Sequence, residues 1–149
     1  MRVRNWMTKV VVTVSGATRV REASDLMKSH KIRHLPVVEG GRLVGIISDR
    51  DLREVVPSQV ATSKIETVQH FLDKIQVQLV MTKQVVGISP EGSLAKAADL
   101  MVRNKIGCLP VLDGHALVGI ITGSDILRVV AGDKGAMALP EIPPVRGKE

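Results

Sequence analysis

Residues 7–52 return as residues 81–126. Displaced by 74 positions, the two stretches align without a gap, and 22 of the 46 positions are identical. The agreement is concentrated. Met7-Thr8-Lys9 returns as Met81-Thr82-Lys83, and Asp25-Leu26-Met27 as Asp99-Leu100-Met101. Leu35-Pro36-Val37 returns as Leu109-Pro110-Val111. The run Leu43-Val44-Gly45-Ile46-Ile47-Ser48, with Asp51 three residues on, returns as Leu117-Val118-Gly119-Ile120-Ile121-Thr122 with Asp125. A repeat constrains the fold before any other feature, because both copies should adopt one local structure. Two copies are too few for a solenoid. They suit a pseudo-twofold pair in which each half buries the apolar face of the other.

Each copy reads as strand, helix, strand, strand, helix. Val10-Val11-Val12-Thr13-Val14 is a β-branched run that predicts a first strand, echoed over 85–88. Val20, Ala23, Leu26 and Met27 then form one helical stripe, as do Leu94, Ala97, Ala98, Leu100 and Met101. Thr18 and Ser93 are the candidate N-caps. Two short strands follow, Leu35-Pro36-Val37-Val38 and Leu43-Val44-Gly45-Ile46-Ile47, with a hairpin turn at Gly40-Gly41. Asp113-Gly114-His115-Ala116 makes the second turn. Helical stretches over 52–56 and 126–131 close the copies, so Ser48 and Thr122 stand at strand ends and Asp51 and Asp125 at helix openings. A helix N-terminus with free N–H groups suits an anion or a ligand's hydroxyls.

This divides the chain into a first repeat (1–56), a linker (57–78), a second repeat (79–131) and a tail (132–149) expected to be extended or disordered. The linker should hold a short helix over 64–74, capped by Thr62 or Ser63. An apolar content of 44% suffices for a core, but Trp6 and Phe71 are the only aromatics. That weighs against stacking on single-stranded nucleic acid. The lone Cys108 excludes an internal disulfide and reads as inert core packing. His30, His70 and His115 show no metal-ligand spacing. No apolar run has the length of a membrane span and no signal peptide is legible, so a cytoplasmic location without a membrane partner is expected. The net charge of +6 resides in residues 1–53, where 11 Lys/Arg face 5 Asp/Glu. That excess serves either a solvated basic face or an anion site.

The repeated Met-Thr, Asp-Leu-Met, Leu-Pro-Val and Leu-Val-Gly-Ile-Ile-Ser/Thr-x-x-Asp together resemble a tandem pair of CBS domains, a Bateman module, over residues 3–131. The Pro57-Ser58-Gln59 linker is similar to that of stand-alone CBS-pair proteins of the acetoin-utilisation type, without their ACT domain. The resemblance implies an α+β fold of two βαββα repeats about a pseudo-twofold, packed sheet to sheet with helices outside. It also implies a cleft on each side of the pseudo-twofold, with ATP, ADP, AMP or S-adenosylmethionine as the ligand and no catalytic cofactor. Asp51 and Asp125 would grip ribose hydroxyls, with Ser48 and Thr122 beside them. Thr82, Val85 and Gly87 would face the Asp51 cleft, and Thr8, Val11 and Thr13 the Asp125 cleft. Ile46 and Ile120 would pack on the base.

The clefts should differ. Arg33-His34 in the first copy is Gly107-Cys108 in the second, and Arg50 is Ser124. In the modules this chain resembles, basic residues at these positions reach phosphates; the resemblance thus makes Arg33, His34 and Arg50 the candidate phosphate ligands, and the Ser124 side should prefer fewer phosphates or a neutral adenosine moiety. With no nucleophile–base arrangement and no phosphate-loop lysine, the leading expectation is a non-catalytic sensor. The resemblance implies that it dimerises with itself through the repeat helices, and its output would go to an effector protein in trans. The alternatives are a nucleic-acid binder, favoured by a pI near 9.8, and a protein-only scaffold with vestigial clefts.

Overall fold

The computed structural model describes residues 1–132. The element order is α1 (Val20–His30), β1 (His34–Glu39), β2 (Arg42–Ser48), α2 (Asp49–Val55), α3 (Ser58–Ala61), α4 (Ile65–Asp73), α5 (Leu94–Asn104), β3 (Cys108–Asp113), β4 (Ala116–Thr122) and α6 (Gly123–Val130). Short 3-10 turns at Val3–Asn5 and Val77–Leu79 precede the repeats. The expected extended or disordered tail lies, beyond Gly132, outside the described residues. No described helix is long and apolar enough to cross a membrane.

The α+β architecture holds. Strands β1 and β2 form one antiparallel hairpin, β3 and β4 the other, and the sheet order is β1-β2-β4-β3. Both loops have two residues. Gly40 and Gly41 both have positive φ, which the first turn requires; in the second only Gly114 does, which leaves His115 an ordinary backbone. The hairpins meet edge to edge at one pair, Arg42 opposite Ala116. Pro36 and Pro110 lie in the outer strands, where their missing N–H groups face away from the hairpin partner.

The expected first strands do not form. Each β-branched run makes only single bridges, and to two different partners. Thr8 pairs with Ile120 of the second repeat and Val14 with Val37 of the first; Thr82 and Ile88 pair likewise with Ile46 and Val111. A segment stretched between two hairpins cannot lie along either, and Val10 stays 88% exposed. Val14 still donates to the Pro36 carbonyl (3.1 Å) and accepts from the Val38 N–H (2.9 Å). Those bonds sit at the bulge where the β1 register shifts.

This crossing interlocks the repeats. Met81 and Thr82 pass over Gly45, and Met7 and Thr8 over Gly119. The 3-10 turns are exchanged as well. Val3 lies in the core of the second repeat with Leu94, Ala97, Met101, Leu109 and Ile121. Val77 lies in that of the first, with Val20, Ala23, Leu35 and Ile47. Neither repeat completes its core without the other. Helix α4 adds Leu72, Val68 and Phe71 to the first core.

One expected cap forms and two do not. Ser93 caps α5, accepting from the Lys96 N–H at 3.0 Å. Thr18 does not cap α1: Arg19 holds that position without a side-chain bond, and the Thr18 hydroxyl accepts the Ser15 N–H instead. Lys64, not Thr62 or Ser63, precedes α4; both hydroxyls turn back to carbonyls of α3. The closing helices begin earlier than expected, at Asp49 and Gly123, which places Asp51 and Asp125 at the third helical position.

Candidate functional site

Strand β2 runs into α2 through Ser48, whose backbone is extended while its hydroxyl accepts the Asp51 N–H at 3.1 Å. The Asp51 Oδ2 accepts the Ser48 N–H at 2.8 Å. This reciprocal capping box leaves Asp51 Oδ1 without a partner among the described residues. Thr122 and Asp125 repeat the box, with N–H to Oδ2 at 2.8 Å and N–H to Oγ1 at 3.3 Å. Here the hydroxyl adds a bond to Oδ2 (3.0 Å), and Arg128 Nη1 donates to Oδ1 at 3.2 Å. Asp125 is 8% exposed, the one buried charged side chain among the described residues.

A cavity of about 670 Å³ opens in front of Asp51. Of the residues expected at this cleft, Arg33, His34, Ile46, Ser48, Arg50, Asp51, Thr82 and Val85 line it. Gly87 is not among its lining residues; a Cβ there would meet Leu112 Cδ1 at 3.0 Å and the Pro110 carbonyl at 3.3 Å. Thr82 is held against Ile46 by paired backbone bonds of 2.9 and 3.0 Å, so the second repeat supplies one wall and the first the other. On the opposite side Thr8 and Ile120 are joined in the same way. That places Thr8 beside β4, the strand leading to Thr122, Ser124 and Asp125, while Val11 and Thr13 lie along the crossing segment towards β1.

The cleft also holds residues that sequence reasoning missed: Asp49, Arg53, Glu54, Gln84, Lys105 and Pro110 among them. Lys105 was findable. It matches Lys31 in the repeat, and both end their helices in the left-handed conformation at φ 54°. A lysine in a place that favours glycine is a local strain worth noticing. The cleft wall carries the cations of Arg33, Arg50, Arg53 and Lys105 against the carboxylates of Asp49, Asp51 and Glu54. Arg50 reaches Glu54 at 3.1 Å and Arg53 reaches Asp49 at 3.7 Å, both in i,i+4 pairs along α2.

Burial lowers the pKa of His34, and Arg33 adds to this; Asp49 and Asp51 oppose it. Burial, with a smaller contribution from Asp125, pushes the Cys108 thiol up to about 12. Cys108 is therefore a neutral thiol at physiological pH and no nucleophile.

The sequence model for the CBS domain matches residues 3–58 and 76–132. The chain belongs to the CBS domain family. The CBS domain-containing protein YhcV of Bacillus subtilis is 33% identical over 141 residues, 94% of each chain. Protein MJ1225 of Methanocaldococcus jannaschii is 32% identical over 129 residues, but the chain spans only 46% of it. It spans 23% of an inosine-5'-monophosphate dehydrogenase of Korarchaeum cryptofilum, at 32% identity over 84% of this chain. Among solved structures, the CBS domain pair of protein MJ0100, in complex with 5'-methylthioadenosine and S-adenosyl-L-methionine, aligns with a TM-score of 0.74 at 28% identity. That alignment covers 90% of this chain and 98% of the other. A Vibrio cholerae CBS protein assigned to acetoin utilisation aligns at 0.71 and 32% identity, over 89% and 91% of the two chains. The two matched ranges contain the hairpins and capping boxes of the two repeats, and the first of these boxes lines the cavity before Asp51.

Proposed function

We propose that this CBS pair is a non-catalytic regulatory module that binds an adenosine-containing ligand (AMP, ADP, ATP or S-adenosylmethionine) in the cleft before Asp51. The observation that carries this reading is the half-used carboxylate. Asp51 Oδ2 is spent on the capping box and Oδ1 is open to a cavity of about 670 Å³. An ionised carboxylate accepts from vicinal hydroxyls, and charge-assisted bonds are the strong ones. The MJ0100 pair, solved with two adenosine ligands, supports the ligand class. In this reading Ile46, Val85 and Pro110 pack on the base, and Thr82 lies beside it. Arg33, His34 and Arg50 meet phosphate, with Arg53 and Lys105 in reach of the same cleft.

Such a ligand regulates only if it binds two arrangements of the module with different affinity. The interlocked repeats suit that role, because a ligand touching Asp51 and Thr82 bears on both halves. The output would go to an effector protein in trans. A second copy would pack on the helices, where Val102 of α5 and Leu127 and Val130 of α6 are exposed. A two-fold mass in light scattering, lost on Leu127→Glu, tests that arrangement.

Thermal unfolding with each of the four ligands tests the main reading. At a hundred times its dissociation constant a ligand adds about 2.7 kcal/mol. For a chain of this size that raises Tm by roughly 5–10 °C. Asp51→Ala should abolish the rise. Arg50→Ser should weaken ATP more than S-adenosylmethionine. No rise with any ligand at millimolar concentration would leave the protein-only scaffold as the better reading.

A further inference from the structure

A second cavity, of about 260 Å³, lies beyond Val85. It is lined by Arg42, Leu43, Lys83, Val85, Leu112, Gly114 and His115. Val85 also lines the Asp51 cleft, so the two cavities share a wall. Their electrostatics differ. The cleft mixes cations with three carboxylates, whereas this lining holds two cations and an imidazole and no carboxylate.

Two acids lie near the cavity by register and sequence: Asp113, exposed between the lining residues Leu112 and Gly114, and Glu39, the partner of Arg42 in the hairpin. The Glu39 Oε1 accepts the Gly16 N–H at 2.6 Å, and Asp113 makes no ion pair among the described residues. Among the described residues neither Arg42 nor Lys83 has an ion-pair partner. The fold does not require this charge. The positions related by the 74-residue shift are Ala116 for Arg42, Lys9 for Lys83 and Gly41 for His115. The same frame thus carries one cation on one side and two cations with an imidazole on the other. Unopposed cations around a concavity concentrate anions, and Arg with Lys supplies both forked and point-charge donors for phosphate oxygens.

We infer that this cavity is a separate anion site, made for a phosphate-bearing ligand. It lies at the seam where Arg42 of β2 meets Ala116 of β4, and occupancy there pulls the two repeats together through Arg42 and His115. The phosphate belongs either to a free inorganic anion or to the phosphate tail of a nucleotide seated across Val85.

Four histidines provide the test. His115 lines this cavity and His34 the Asp51 cleft, while His30 and His70 are exposed elsewhere. Titration with inorganic diphosphate at constant ionic strength, read by the imidazole resonances, should move His115 saturably and leave His30 and His70 in place. Arg42→Ala and Lys83→Ala should each weaken the His115 response at least tenfold, and leave the His34 response as it was. A His115 resonance that stays put, or drifts without saturation like His30 and His70, overturns the site, and the native protein alone decides this. ATP on the native chain and on Asp51→Ala separates the sources. A His115 response lost with Asp51 assigns the phosphate to a nucleotide in the cleft; a response kept assigns it to a free anion. Failure of the adenosine reading would silence His34 and leave the diphosphate response of His115 intact.

Discussion

Ser48 with Asp51 and Thr122 with Asp125 are built by the same local code, yet they present different chemistry to the space before them. In both, one carboxylate oxygen closes a capping box. The difference is decided one helical turn later. Position 54 is Glu, which binds Arg50 at the exposed rim of the cleft rather than Asp51. Position 128 is Arg, which folds back onto Asp125 Oδ1. One carboxylate faces its cleft with an open oxygen and the other has both oxygens occupied. Motif identity places a carboxylate, and its neighbours at i+3 decide whether it is available.

The largest effects should be those that break the frame common to both sides. A Cβ at Gly45 would lie 2.6 Å from Met81 Sδ and 2.9 Å from the Thr82 carbonyl; at Gly119 the same distances separate it from Met7 and Thr8. The methionine can move, but the carbonyl is fixed by its bond with Ile46 or Ile120. Gly45→Ala and Gly119→Ala should each cost about 2–3 kcal/mol by overpacking, and cost the same. Urea denaturation reads both; losses below about 1 kcal/mol, or a clear inequality, would mean that the crossing is looser on one side.

Removing the carboxylates should separate the two sides. Loss of a cap typically costs about 1 kcal/mol, which is the expectation for the half-exposed Asp51. Asp125 is buried and also holds Thr122 and Arg128, so Asp125→Ala should approach about 2 kcal/mol. An Asp51→Ala variant as unstable as Asp125→Ala would contradict the assigned difference in burial and bonding.

The repeat made much of this legible in advance. The hairpins, the main helices and the position of Ser/Thr-x-x-Asp at a strand-to-helix junction follow from patterns of spacing, and spacing survives in a sequence. The first strands were misjudged for a physical reason. β-branched residues favour extended backbone, but strand pairing also depends on how far a segment stays beside its neighbour. Residues 8–14 leave one hairpin for the other. The exchange of Val3 and Val77 was missed because each is a single apolar residue with no periodicity around it. Thr18 lost its cap role to a local bond with Ser15, a competition that composition does not resolve. At the site, the residues expected before Asp51 do line one cavity, apart from Gly87, because they belong to motifs. Arg53, Glu54 and Lys105 belong to none: Arg53 and Glu54 stand where the second copy has Leu127 and Arg128, and Lys105 matches Lys31.

The Arg128 contact can be moved between the clefts. Its side chain is 60% exposed, so the ion pair with Asp125 is worth at most about 1 kcal/mol, or roughly fivefold in affinity. Arg128→Ala should strengthen adenosine binding at the Asp125 side by up to that factor. Glu54→Arg should weaken binding before Asp51 by a similar amount, as the new side chain competes for Oδ1. Titration calorimetry with each variant checks both. An unchanged affinity in both would show that position i+3 does not set the availability of the carboxylate.

The smallest effect is the most specific to one side, because His34 has Cys108 as its counterpart. Burial lowers the His34 pKa in the folded chain, so below the ordinary value of about 6.5 the unfolded chain binds more protons. Stability should therefore fall as pH drops through 6.5, and His34→Ala should flatten that slope; the Cys108 thiol, pushed up to about 12, adds nothing in this range. Ligand binding should run the other way. A phosphate placed beside His34 favours the imidazolium, so binding should take up a proton, and affinity for AMP should rise from pH 7.5 to 6.5 while the free protein loses stability. Calorimetry in buffers of different ionisation enthalpy measures the uptake. Comparison with His34→Ala removes the contribution of the nucleotide's own phosphate, whose second pKa is about 6. Equal proton uptake by the native chain and His34→Ala would remove His34 from the phosphate side of the cleft, and would leave Arg33, Arg50, Arg53 and Lys105 to account for any preference for charged ligands.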